Sequence, residues 1–453
     1  MARKRPARIG NPDLRQQKHI PAPPIEEIEK QIFSLLSPAS FKPLKSYEQK
    51  QEQEAEQKKK WRDRILTLPV MMAIVVSLVY RQIPGLREVQ RVLSQEGLLW
   101  VGQMEVSAQA VSKRLRTLPI ELFAQIFEQV IAKISSQPKN QAIPGNWQPV
   151  CAQFTAIWIA DGSTLEALRR KLKALQEQEK TLAGKIMMVV EAFSHRPVTT
   201  WYTTNSKAND KIWCDQLLER LPVGGLLIFD LGFFKFPWFD AFTQANKFFV
   251  TRLREKTSYK VIRCLANAPF YRDEIINMGE YRSNPCQRQV RLISVLWGSN
   301  WYYYLTNVLD PKILSAQQVC ELYRRRWRVE DAFLLTKRLL GLAYIWVGDS
   351  NGVQIQIFAT WIFYAVLNQL CIDVAFAKRV RSTLALSQPL DRISTEMVFR
   401  GLYHFSQAVL RSEASEVVPY LVERQKLFGL VKTRRKRHRE IDAYTQQIWA
   451  LSS

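Results

Sequence analysis

Two short apolar runs in the middle of the chain, residues 155–161 and 225–230, each end on an aspartate, Asp161 and Asp230, with a glycine one or two positions further on. A brief apolar run closed by Asp and Gly reads as a buried strand that turns at the edge of a sheet. Two such strands, separated by alternating and helix-like segments, commit this part of the chain to a mixed α/β fold with acids at strand ends. Taken singly, each aspartate is equally well a turn residue, because an Asp carboxylate readily bonds the backbone two residues on.

The surrounding pattern extends the sheet. Residues 185–193 and 198–204 form a hairpin pair around His195-Arg196-Pro197, a helix is expected over 210–221, and a fifth strand over 247–253. Ser163 and Glu166 have capping-box spacing and predict a helix with Leu165, Leu168, Leu172 and Leu175 on one side. Residues 255–309 contain short alternating segments, notably 290–297 and 301–307 around Gly298-Ser299-Asn300, and read as an inserted β subdomain.

After the insertion, Ser315 with Gln318 three residues on predicts a capped helix start. Along that single helix Tyr323, Arg326, Glu330 and Lys337 fall within an arc of about 60° at roughly 100° per residue. One acid then lies among two cations and a phenol. Such a face suits a metal or acid/base site that also holds an anion; it equally suits an exposed helix laced with i,i+4 pairs such as Arg326 with Glu330. Residues 351–378 read as an apolar helix packed beneath it.

Charge narrows the choice of ligand. The chain carries 65 Lys and Arg against 41 Asp and Glu, a net charge of +24, which favours a polyanion such as nucleic acid. The longest apolar runs, 68–79 and 357–367, are about half to two-thirds of a bilayer span and read as buried helices, so no membrane is expected. Residues 1–24 are basic and proline-rich with no apolar h-region, so no signal peptide is read. Six scattered cysteines without a CxxC and only four histidines argue against zinc, a disulfide framework or a Ser-His-Asp site, and for reduced thiols in the cytoplasm.

The chain divides by composition. Residues 1–64 read as a basic disordered arm and a solvated helix; residues 65–148 as an all-α DNA-binding region. Within the latter, 106–115 resembles the second helix of a helix-turn-helix, with Ser107 as cap, Gln109, Ser112 and Lys113 facing outward, and Arg87, Arg91, Arg114 and Arg116 suited to a DNA backbone. A plain helical bundle fits as well. Residues 149–254 and 310–380 form the α/β core, 255–309 its β insertion, and 381–453 a helical, basic C-terminal region with a cationic run at 432–439.

Apart from the extra helix after the first strand, this order of elements is that of a ribonuclease H-like fold, in which the ends of the first and fourth strands are neighbours and a late helix crosses beside them. Asp161, Asp230 and Glu330 would then converge, and clustered carboxylates call for divalent cations of the hard, oxygen-preferring kind. The chain resembles the bacterial insertion-sequence transposases of the DDE superfamily, in the family marked by a Y-x2-R-x3-E-x6-K signature. Tyr323, Arg326, Glu330 and Lys337 match it at every spacing, while Asp161-Gly162-Ser163-Thr164 and Asp230-Leu231-Gly232-Phe233 resemble its first and second aspartate motifs. Leu231 departs from the family, where arginine is common.

The resemblance implies a ribonuclease H-like catalytic core interrupted by a β insertion, and two Mg²⁺ ions per active site, replaceable by Mn²⁺, held by Asp161, Asp230 and Glu330. It also implies contacts to terminal-repeat and target DNA from Tyr323, Arg326, Lys337 and Arg252, with further phosphate contacts from Arg324, Arg325 and Arg328. Trp301, with Trp297 as its rival, would stack on a flipped base beside a hairpin. The implied reaction is cut-and-paste transposition by a homodimer in a synaptic complex. A transposase-derived DNA-binding protein without catalysis, or a metal-dependent endonuclease of the same fold, are the competing expectations.

Overall fold

The computed structural model describes residues 23–36, 41, 65–83, 85–136, 143–165, 184–334, 336, 346–347, 349–381 and 390–432, with the side chains of Arg328, Glu330, Asp331 and a few others outside that description. The expected helix beyond Asp161, Lys337 and the cationic run from 433 onward lie outside the described residues. The chain divides into two compact units: Met1–Ser135 with Leu334–Leu367 and Phe399–Tyr420, and Ser136–Phe333 with Asn368–Val398 and Leu421–Ser453.

The first unit is helical. It contains α1 (Glu26–Leu35), α2 (Leu68–Tyr80), α3 (Leu86–Gln95), α4 (Ala108–Thr117) and α5 (Ile120–Ser135). Helix α2 is apolar along almost its whole length and is buried accordingly, with Pro69 tolerated in its first turn. Residues 26–35 were read as part of a disordered arm; they form a packed helix instead. Ile25, Ile28, Ile32 and Leu36 recur at helical spacing and are buried, and Tyr80 ties the helix down by accepting from Ile25 N (2.6 Å) and donating to Glu29 Oε1 (3.0 Å). Helix α4 starts where its cap predicts, Ser107 accepting from Ala110 N, and exposes Gln109 and Lys113. Arg114 does not face a DNA backbone: it is buried, donating from Nε to Leu66 O at 2.9 Å. The connection between α3 and α4 carries a bridge between Leu98 and Val101 and is longer than the about three- or four-residue turn of a helix-turn-helix.

The second unit begins with α6 (Gln148–Gln153) and is built on one sheet. Its first five strands are β1 (Ile157–Thr164), β2 (Lys185–Glu191), β3 (Pro197–Thr203), β4 (Leu226–Ile228) and β5 (Phe248–Arg252), with α7 (Cys214–Arg220) before β4 and α8 (Phe236–Gln244) before β5. Strands β6 (Tyr259–Ala268), β7 (Tyr271–Met278), β8 (Val290–Trp297) and β9 (Asn300–Thr306) continue the same sheet, in the order β3-β2-β1-β4-β5-β9-β8-β7-β6. Strand pairs β1–β4 and β4–β5 are parallel; the other pairs are antiparallel. Gly298, in left-handed backbone, makes the tight β8–β9 turn.

Strand β1 runs through Thr164, with Ser163 paired to Ile186 and Thr164 to Lys185, so Ser163 is a strand residue and not the helix cap its spacing suggested. The Leu165 amide, which a cap at Ser163 could serve, donates instead to Gly184 O at 2.9 Å. One face of the sheet, carrying Ala160, Leu227, Phe229, Phe249 and Leu305, packs on Phe233, Trp238, Phe239 and Phe242 in an aromatic core. Rings there meet at centroid distances such as 4.7 Å for Phe229 and Trp238.

The chain goes on through α9 (Ala316–Arg325), α10 (Trp327–Leu334), α11 (Ser350–Arg381), α12 (Thr395–Leu410) and α13 (Val417–Glu423). Helix α9 opens on the full capping box, Ser315 accepting from Gln318 N and Gln318 Oε1 accepting from Ser315 N, and lies against β5 and β9. The single helix expected through Glu330 is two, α9 and α10, separated at Arg326. The amide of Arg326 bonds Tyr323 O and its carbonyl accepts from Val329 N, so the chain tightens to i,i+3 bonding at that residue. Helix α11 is the described helix long and apolar enough to cross a membrane, but 89% of its apolar window is buried inside the protein, as a core helix requires.

Candidate active site

Strand parity explains how the two aspartates meet. In the parallel pair β1–β4, Ile157, Trp158 and Ile159 stand opposite Leu226, Leu227 and Ile228. Two residues further along, at the C-terminal edge, Asp161 and Asp230 occupy equivalent positions, and the period of two puts both on the face opposite the aromatic core. Across β5 and β9, Ile228 pairs with Val250 and Arg252 with Tyr304, which extends that face to Arg252, Tyr304 and Tyr302. Helix α9 covers it.

Each carboxylate is held by local backbone. Asp161, 8% exposed, accepts from Gly162 N at 2.9 Å; Asp230 Oδ1 accepts from Gly232 N at 2.8 Å at the start of a short 3₁₀ turn. The second oxygen of Asp161 accepts from Arg326 Nη1 at 2.9 Å, a pair buried on both sides. Arg326 thus joins Asp161 of β1, a partner that helical spacing alone does not suggest. Its guanidinium also lies over the rings of Tyr323 (5.8 Å) and Trp327 (5.1 Å).

Tyr323 is buried edge-on against Tyr304, with ring centroids 5.5 Å apart. Burial raises its hydroxyl above the ordinary range, Arg326 and Arg252 oppose that rise, and Asp230 adds to it, so the four groups share one electrostatic neighbourhood. Arg252 lies over Tyr302 at 5.5 Å. Sequence reasoning missed Asp210, which pairs with Lys185 at 2.8 Å and lies against Gly162 of β1 and Gly232 of the Asp230 turn. Burial is the largest influence raising its carboxyl, Lys185 opposes it, and Asp230 raises it further. No apolar run or motif marks Asp210 in the sequence.

The remaining expected residues divide. Trp301 pairs with Leu296, which puts it on the aromatic-core face with Leu305, away from the acids; Arg272 lies over its ring at 5.4 Å. Trp297 is on the acid face, 5.2 Å from the Tyr302 ring and 6.3 Å from Tyr304, under the guanidinium of Arg324 at 5.7 Å, with its indole N–H buried and unbonded. Arg325 does not reach outward for phosphate. It is buried, stacked on Phe193 at 4.4 Å and paired with Asp391 at 3.2 Å. Helix α10 carries the backbone of Glu330 onward from Arg326, while the side chain lies outside the described residues. Among the described residues no group of three His, Cys, Asp or Glu side chains could hold a metal.

Comparison with known proteins agrees with this geometry. The family model described as "Transposase DDE domain" matches residues 153–365, which contain Asp161, Asp230 and Glu330. A candidate transposase of Sinorhizobium fredii is 26% identical over 187 residues, 40% of this chain and 49% of that protein, so the chain spans about half of its length. A transposase assigned to insertion sequence element IS5377 of Geobacillus stearothermophilus is 20% identical over 295 residues, 62% of this chain and 74% of the relative. Residues 153–365 therefore match a transposase DDE domain, and the chain is similar to bacterial insertion-sequence transposases.

Proposed function

We propose that the protein is a DNA transposase that excises and inserts its own insertion sequence, with Asp161, Asp230 and Glu330 holding two Mg²⁺ ions in a ribonuclease H-like core. The observation that carries it is the equivalent position of Asp161 and Asp230 on adjacent parallel strands, on the face covered by the helix that leads to Glu330. Carboxylate oxygens at a strand edge are the hard donors that Mg²⁺ and Mn²⁺ prefer, so the residues fit the ions. The ions supply an activated water or 3′-hydroxyl and stabilise the leaving oxygen in an in-line attack on phosphorus.

The chain's own residues do the rest. Arg326 neutralises Asp161 before ions and DNA arrive, then turns its guanidinium to phosphate, which its planar fork suits. Arg252 adds positive charge at the end of β5, Lys337 supplies a second phosphate clamp, and Tyr323 fixes the α9 side of the cleft through Tyr304. The net charge of +24 draws in terminal-repeat and target DNA, α4 with its exposed Gln109 and Lys113 reads the ends, and a homodimer synapses two of them. The protein acts in the bacterial cytoplasm, on the nucleoid.

The test is incubation of the protein with Mg²⁺ and a supercoiled plasmid carrying the terminal repeats that flank its gene. Cleavage at both ends, absent in EDTA and absent from a plasmid lacking the repeats, is the expected result. Binding without cleavage would favour a DNA-binding protein, and cleavage without end preference an endonuclease. In the same assay strand parity favours Trp297 over Trp301 as the base-stacking residue. Trp297→Ala should slow hairpin formation about tenfold more than first-strand nicking, as the loss of about 1–3 kcal/mol of stacking requires; Trp301→Ala should leave the ratio unchanged. The reverse pattern would return the role to Trp301.

A further inference from the structure

Asp210 opens a short 3₁₀ turn, Asp210–Trp213, and belongs to none of the motifs above. Its carboxylate pairs with Lys185 Nζ at 2.8 Å, with both side chains mostly covered. Lys185 is the first residue of β2, stands opposite Thr164 of β1, and also donates to Ala208 O at 2.9 Å. The carboxylate is wedged between two glycines. A methyl group at Gly162 would land on Asp210 Oδ1, and one at Gly232 would come within 2.9 Å of both Asp210 Oδ2 and Asp230 Oδ1.

Neither glycine has left-handed backbone, so occupied space and not a special φ excludes a side chain there: chiefly Asp210 at Gly162, with Lys185 Cε next at 3.1 Å, and Asp210 together with Asp230 at Gly232. Gly162 directly follows Asp161, and Gly232 donates its amide to Asp230. One side chain from a third element therefore abuts both Gly162 of β1, next to Asp161, and the Gly232 turn that holds Asp230. Lys185 anchors it from the strand paired to β1, and so couples the turn to the sheet.

We propose that Asp210, backed by Lys185, is a positioning residue that sets the separation of Asp161 in β1 from the Asp230 turn. Its consequence for cleavage rests on the proposed function; its packing does not. An error of about 1 Å in the placement of reacting groups costs on the order of a hundredfold in rate, so a strut between β1 and the Asp230 turn is worth that much.

Two measurements test it. In thermal unfolding, Gly162→Ala should lower the midpoint of the wild-type protein by about 5 °C or more, yet by less than about 1 °C in the Asp210→Ala background, where the obstructing oxygens are gone. Additive losses would overturn the proposal. In the plasmid assay, Asp210→Ala should bind end DNA within about twofold of wild type, cleave about a hundredfold more slowly and need about tenfold more Mg²⁺, while the isosteric Asp210→Asn should recover to within about tenfold of wild type. Cleavage by Asp210→Ala at the wild-type rate and Mg²⁺ midpoint would also overturn it. If wild type cleaves no DNA end, the proposed function fails instead, and the thermal cycle decides the role of Asp210.

Discussion

Asp230→Asn loses strand cleavage by about a thousandfold while binding terminal DNA within about twofold of wild type. The amide keeps the size of the side chain and an oxygen to accept from Gly232 N, the bond that shapes the turn. What it removes is the charge. A thousandfold is about 4 kcal/mol, the scale expected when a carboxylate that helps hold an ion beside phosphorus is neutralised. Asp161→Asn should lose as much activity but also some stability, since it removes the charge from one side of a buried pair with Arg326. Asp230, half-buried and bonded to backbone, is the cleaner substitution. Gel analysis of plasmid cleavage and a binding isotherm on end DNA read the two quantities separately; wild-type cleavage by Asp230→Asn would remove it from the site.

Arg291→Ala should destabilise the sheet unit by about 3–5 kcal/mol, lowering its thermal midpoint by about 10 °C. Arg291 of β8 is fully buried and makes a bidentate pair with Asp273 of β7, Nε to Oδ1 at 2.7 Å and Nη2 to Oδ2 at 2.6 Å. Its remaining donor, Nη1, bonds Leu314 O at 2.6 Å, one residue before the Ser315 cap of α9. Tyr271 donates to the same carboxylate at 3.0 Å, and burial, more than the neighbouring Asp273, raises its hydroxyl. Truncating Arg291 strips the buried Asp273 carboxylate of both guanidinium bonds and frees the segment that launches α9. The double replacement Arg291→Met with Asp273→Leu should recover most of the loss, because replacing both ions avoids the unpaired charge. Urea unfolding of the two variants checks this; equal losses in both would mean that packing, and not the unpaired carboxylate, sets the cost.

Much of the sheet was legible because its signals are local. The apolar runs that end on Asp161 and Asp230, the β8–β9 turn at Gly298 and the Ser315-Gln318 box each depend on a few neighbouring residues, and each appears near where it was expected. What failed were the choices that only tertiary contacts make. Arg326 has a plausible partner four residues on whose side chain lies outside the described residues, and the fold adds Asp161, far away in sequence. Arg114 and Arg325 sit in basic stretches that look like surface, yet each is turned inward by a carbonyl, a ring or an acid from a distant segment. Ser163 carried two compatible signals, and pairing with β2 selected the strand. The parity that separates Trp297 from Trp301 is written in the sequence only once the register of β9 against β5 is known. Asp210 left no trace as a site residue, because its environment is made by two glycines and a lysine from two strands and a turn.

The central claim is that Asp161, Asp230 and Glu330 share divalent ions. Electron paramagnetic resonance of free Mn²⁺, titrated into the protein bound to uncleaved end DNA, counts the ions directly. Wild type should take up about two ions per active site, and Asp230→Asn and Glu330→Gln should each hold less than half of that at the same free Mn²⁺. Uptake by both variants equal to that of wild type would contradict the account.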